Sequence, residues 1–140
     1  MNPGRAVKQE VMTAENRNHN RIDSFRNAFS GWIHVVRTQR NAWIHLAATI
    51  LVILVASWLH LPPLNLAVVF LAVGLVWMAE LFNTAVEALV DLASPDYHPL
   101  AGIVKDVSAA AVLIMALTAL IIGLLLILPP LLERILTFQF

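Results

Sequence analysis

Leu66-Ala-Val-Val-Phe-Leu-Ala-Val-Gly-Leu-Val-Trp-Met-Ala-Glu80-Leu-Phe-Asn83-Thr84-Ala-Val-Glu87-Ala-Leu-Val-Asp91 decides how this chain folds. Residues 66–79 form an uncharged apolar run, and no Pro or Gly among residues 80–91 breaks the helix it starts. At the helical period, Glu80, Asn83, Glu87 and Asp91 fall within one arc of roughly 80°. Ionisable residues inside a membrane span are costly to place there, and they mark function by default. Two acids on one face, with an amide between them, make a candidate site.

The rest of the chain agrees with a membrane setting. Of its 140 residues, 59% are hydrophobic and 13% charged, against about 45–50% apolar and 25% charged in ordinary soluble domains. Three stretches account for the excess: residues 42–61, interrupted by His45, Ser57 and His60; residues 66–91; and residues 107–128, which carry no charge. Each is long enough to cross a hydrocarbon core of about 30 Å. The expected fold is an all-α membrane protein with three transmembrane helices. The absence of cysteine excludes disulfides, thiol catalysis and cysteine metal sites. Nothing in the zero net charge points to a nucleic-acid partner.

Residues 1–23 are polar and unpatterned, and are expected to be disordered and to contain no cleavable signal peptide. Residues 24–140 form the membrane domain. Within it, Phe25, Phe29, Trp32, Ile33 and Val36 recur at helical spacing between basic flanks, predicting an amphipathic surface helix over 24–39. Arg5, Lys8, Arg17, Arg21, Arg26, Arg37 and Arg40 all precede the first span, whereas the turn at residues 61–65 carries no charge. The positive-inside rule then places the N-terminus in the cytoplasm and the loop between residues 91 and 106 on the same side. Pro62-Pro63 should separate the first two spans. Pro99 and Gly102 should keep the inner loop irregular as far as Lys105-Asp106, and Pro129-Pro130 should end the third span, with an undefined tail at 131–140.

Depth separates the roles of the acids. Glu80 lies within the inner leaflet, and Glu87 about 10 Å further toward the cytoplasm. A lipid hydroxyl would meet Glu80, a candidate general base. A soluble polyanion with its metal would meet Glu87. Lys105 and Asp106 add a cation and a further acid, a set suited to phosphoryl transfer. The same acids would equally serve a small proton-coupled transporter or channel, or pair structurally with Lys105. The chain has neither a Walker loop nor a G-x-G-x-x-G cradle. His34, His45 and His60 share no metal-ligand spacing and are read as packing or interface residues.

Glu80-x-x-Asn83-Thr84-Ala-Val-Glu87-Ala-x-Val-Asp91, followed by Tyr97-His98, Gly102 and Lys105-Asp106, resembles the small prokaryotic integral-membrane diacylglycerol kinase and undecaprenol kinase family. The resemblance runs from about residue 24 to the end of the third span. It implies a homotrimer with composite sites between subunits, and phosphorylation of a lipid alcohol by ATP with Mg²⁺. Carried over residue by residue, it makes Glu80 the catalytic base and Glu87 a metal ligand. Asn83, Asp96, Tyr97, His98, Lys105 and Asp106 become nucleotide or phosphate contacts. One position departs from the family: a second metal-binding Glu usually precedes the first span, where this chain has Gln39-Arg40-Asn41-Ala42-Trp43-Ile44-His45. The Gln39 carbonyl can ligate Mg²⁺, but without the charge. Within the family, the loop with Ser94-Pro95, His98-Pro99 and Lys105-Asp106-Val107 resembles the undecaprenol kinase branch.

Overall fold

The computed structural model describes residues 21–96 and 98–137, all in helices or the turns between them. The chain divides into two units, residues 1–34 and 35–140. The elements are α1 (Arg21–Thr38), α2 (Arg40–Trp58), α3 (Pro63–Ala93) and α4 (Pro99–Thr137). Most of the stretch expected to be disordered lies outside the described residues. Residues 21–23 already belong to α1, because Asp23 suits a first helical turn. In the N-terminal unit Phe25 and Phe29 are exposed, and the Phe29 and Trp32 rings stack at 6.0 Å.

α2, α3 and α4 are each long and apolar enough to cross a membrane. At about 1.5 Å per residue, the 31 residues of α3 and the 39 of α4 exceed a hydrocarbon core. Their outward faces carry Leu51, Leu54, Phe70, Leu71, Leu120 and Leu125 in exposed positions. Such all-round apolar surface requires lipid or another helix against it. α3 buries a single stripe: Val69, Ala72 and Val76 above, Glu80, Asn83 and Thr84 below. Its spacing of three and four is that of a packed helix face, and its lower half is polar.

Pro62-Pro63 separates α2 from α3 as expected, with Pro63 at a position that needs no N–H. The stop itself is made by His60, in the left-handed region at φ 55°. His60 N–H donates to Ser57 O at 3.1 Å, and Leu61 N–H donates to Ala56 O at 3.2 Å. This is a Schellman closure. Ala56, Leu59 and Leu61 form the apolar contact that accompanies it, with Ile127 and Leu131 of α4 packed on top.

α4 departs from expectation at both ends. It starts at Pro99, where proline is a favoured first helical residue, and Gly102 costs only about 1 kcal/mol inside a helix. It also continues through Pro129-Pro130 to Thr137. Proline removes N–H donors without forbidding a helix in a membrane span, and tertiary contacts hold the far side. Leu131 packs on the Ala56 cluster, and the Arg134 guanidinium lies 4.9 Å above the Trp58 ring.

His60→Gly is expected to raise the unfolding midpoint in detergent, because glycine adopts positive φ without the steric cost a side chain meets, on the order of 1 kcal/mol. A lowered midpoint would show that the His60 ring, whose Nδ1 lies 3.0 Å from Trp58 O, outweighs that relief.

Candidate functional site

The polar half of the α3 stripe gathers partners from both neighbouring spans. Glu80 is 1% exposed and lies about 26 Å along the axis from Pro63. Its backbone carbonyl accepts from the Thr84 hydroxyl at 3.0 Å. Its Oε2 faces His45 Nε2 of α2 at 3.7 Å, beyond hydrogen-bond length. Both atoms are buried, and neither has a hydrogen-bond partner. The His45 ring meets Trp77 edge-on at 6.4 Å, and Trp77 Nε1 donates to Thr49 Oγ1 at 3.1 Å.

One turn further along α3, a hydrogen-bonded chain joins all three spans. The Ser108 hydroxyl of α4 donates to Asn83 Oδ1 at 2.6 Å. Asn83 Nδ2 donates to Glu87 Oε1 at 3.0 Å. Gln39 Nε2, at the head of α2, donates to Glu87 Oε2 at 3.1 Å. Each oxygen of the Glu87 carboxylate therefore accepts one amide hydrogen, and the Asn83 amide is used at both ends. Partners at both ends fix its orientation. Beyond Glu87, Lys105 of α4 forms an ion pair with Asp91 of α3.

The structure thus joins Gln39, Asn83 and Glu87, and ties Lys105 to Asp91. It leaves Asp96, His98 and Asp106 exposed, with no hydrogen bond or ion pair to the Glu87 network among the described residues. His98 caps α4, its Nδ1 accepting from Leu100 N–H at 3.2 Å. The Ser94 hydroxyl closes the loop onto Asp96 O at 3.1 Å. Tyr97 lies outside the described residues. No group of three or more His, Cys, Asp or Glu converges on a metal-sized site among the described residues. Two participants escaped the sequence reading. Ser108 carries no sequence signal, since a serine near a helix start has no partner visible along the chain. His45, read as a packing or interface residue, has its partner on another helix, where no spacing rule connects them.

Residues 26–127 match the family described as prokaryotic diacylglycerol kinase. The chain belongs to the prokaryotic diacylglycerol kinase family. A diacylglycerol kinase from Synechocystis sp. is 47% identical over 115 residues, which cover 81% of this chain and 66% of that one. The match therefore spans just under two thirds of that relative's length. An undecaprenol kinase from Bacillus subtilis is 40% identical over 108 residues, covering 77% of this chain and 88% of the relative. A diacylglycerol kinase from Escherichia coli is 37% identical over 89 residues, covering 59% of this chain and 73% of the relative. The matched segment contains α2, α3, the inner loop and most of α4, so the whole polar network of this diacylglycerol kinase family member falls inside it.

Proposed function

We propose that this protein transfers the γ-phosphoryl group of ATP to the hydroxyl of a membrane lipid alcohol in a prokaryotic membrane. The observation that carries the reading is Glu80, a carboxylate 1% exposed on a helix long enough to span a membrane, one turn from the Asn83–Glu87–Gln39 network. Glu80 Oε2, free of hydrogen bonds, is the proton acceptor. The lipid oxygen attacks the γ-phosphorus as its proton passes to Glu80, a new P–O bond forms, and ADP leaves with the electron pair of the broken bond.

The residues present fit Mg²⁺. Turning the Gln39 amide exchanges its NH₂ for its carbonyl, which sets two hard oxygen ligands side by side with Glu87. A single carboxylate suffices where phosphates and waters fill the remaining positions. Bound there, Mg²⁺ would neutralise charge on the phosphates. Lys105, released from Asp91, would do so from the other side. Asn83 would orient phosphate oxygens, while Asp96, Tyr97, His98 and Asp106 would contact the nucleotide. The seven basic residues before the first span support a cytoplasmic N-terminus, on the side where ATP is available. Assembly as a homotrimer rests on the family resemblance, and the exposed apolar faces of the spans would then meet either lipid or another subunit. Family membership leaves no ground for the transport reading of the same acids.

The acceptor we favour is undecaprenol, on the likeness of the loop between residues 91 and 107 to that branch. The relative matched over 88% of its length is named for that lipid. Diacylglycerol is the second reading, favoured by the 47% identity to the Synechocystis protein. In matched mixed micelles kcat/KM for undecaprenol should exceed that for diacylglycerol about tenfold, equivalent to about 1.4 kcal/mol of differential transition-state binding. The reverse ratio would select diacylglycerol and leave the kinase reading standing.

Glu80→Gln keeps the shape and removes the base, and should lower kcat at least about 100-fold with the fold intact. Near-normal turnover would assign Glu80 a structural role instead. Gln39→Glu should lower the Mg²⁺ concentration needed for half-maximal rate, since it puts a second charged oxygen beside Glu87. An unchanged Mg²⁺ requirement would separate residue 39 from the metal.

A further inference from the structure

Glu87 meets an N–H on each of its two oxygens, and the two donors are held differently. Asn83 Nδ2 donates to Glu87 Oε1 at 3.0 Å, while Asn83 Oδ1 accepts from Ser108 at 2.6 Å. Asn83 is buried, and a turn of its amide would break both bonds as they stand. Gln39 Nε2 donates to Glu87 Oε2 at 3.1 Å, but its Oε1 has no hydrogen bond among the described residues. Gln39 is half-buried at the head of α2, and its side chain does not cap that helix. One amide is fixed from both ends, and the other is fastened at a single point.

This asymmetry matters to a cation. Hydrogens aimed at both oxygens favour the carboxylate, because charge-assisted bonds are the strong ones. They also point positive hydrogens at the place where a divalent ion would sit. Mg²⁺ gives up water reluctantly, and takes one or two carboxylates together with phosphate oxygens. Glu87 and a turned Gln39 offer two protein oxygens and one negative charge. No group of three or more acids or histidines converges there among the described residues. A free ion therefore gains too little to break the Gln39 bond. An ion carried on a nucleotide brings phosphate oxygens of its own, and for it the same exchange is favourable.

We propose that Gln39 decides which form of cation the site accepts: one carried by a nucleoside triphosphate, and not the free ion. Without nucleotide, the Gln39 N–H closes Glu87 Oε2, and the site takes up no free Mg²⁺. When the cation–nucleotide complex enters, the Gln39 amide turns about its last side-chain bond. Its N–H leaves Glu87, and its carbonyl oxygen faces the ion. Glu87 Oε1 stays with Asn83 throughout. No covalent bond changes and no proton moves. This rests on the reading of Glu87 as the metal ligand.

The test uses the full chain in detergent micelles with isotope-labelled glutamine. Gln39 is one of three glutamines, and its side-chain amide resonances are assigned by their loss in Gln39→Leu. Mg²⁺ alone should leave them in place, and Mg²⁺ with the non-hydrolysable β,γ-methylene analogue of ATP should move them. Resonances that move equally with Mg²⁺ alone, or with neither, overturn the proposal. Equilibrium dialysis against Mn²⁺ without nucleotide supplies a second readout. Gln39→Glu replaces the closing N–H by a charged oxygen, and should bind Mn²⁺ at least about tenfold more tightly than the wild type. Equal affinities in the two proteins would also overturn it. The two readings fail separately: a wild type that phosphorylates no lipid alcohol removes the kinase reading, whereas a Gln39 amide that answers Mg²⁺ alone removes only the selection by Gln39.

Discussion

A carboxylate placed among apolar helices has to find its hydrogen-bond partners within the protein, and that requirement organises everything around α3. Water is not available at membrane depth to solvate a lone pair, so the polar atoms on the stripe are best answered from within the protein. Glu87 is answered from two directions, by Asn83 on its own helix and by Gln39 at the head of α2. Asn83 is answered in turn by Ser108 of α4. The upper half of the same stripe needs only packing and uses Val69, Ala72 and Val76. One helix face thus holds the spans together by contact at one end and by directed bonds at the other. Glu80, at the boundary between the two halves, is the member left with an open oxygen.

Gln39 has a particular effect in this arrangement. Two acids at positions 39 and 87 would repel each other whenever no cation lay between them. With an amide at 39, the pair forms a hydrogen bond instead, and the head of α2 is held against α3 without any ion. If these two side chains hold the metal as proposed, they would offer it one negative charge between them. Lys105 is also paired, with Asp91, although both side chains stay exposed. A polyphosphate that claims Lys105 must displace an existing partner.

The three spans and the acidic stripe were legible from residues alone, because apolar run length and a period near 3.6 are local properties that survive folding. The limits of α4 were not. Pro99, Gly102, Pro129 and Pro130 all signal a break locally, but Pro99 can open a helix, and the packing of Leu131 and Arg134 carries the chain past the other two prolines. His60 was legible as part of a turn but not as its left-handed residue, which depends on how Leu61 closes back onto Ala56. The pairing of Gln39 with Glu87, 48 residues apart, could be anticipated only through family resemblance. The His45–Glu80 approach had no local signal at all, being a product of how α2 lies on α3.

The double proline in α4 has a consequence for how the protein sits in its bilayer. Prolines 129 and 130 cannot donate, so the carbonyls of Leu125 and Leu126 lose their usual partners four residues ahead. Bare carbonyls avoid hydrocarbon, and they mark the upper edge of the oily layer as surely as a charge would. Lys105 marks the lower edge. The 21 residue steps from Lys105 to Leu126 rise about 32 Å, close to the thickness of an average hydrocarbon core. α4 is therefore a gauge matched to ordinary membranes. A thinner bilayer would be met by tilting, by kinking or by local thickening of the lipid, each at a modest cost.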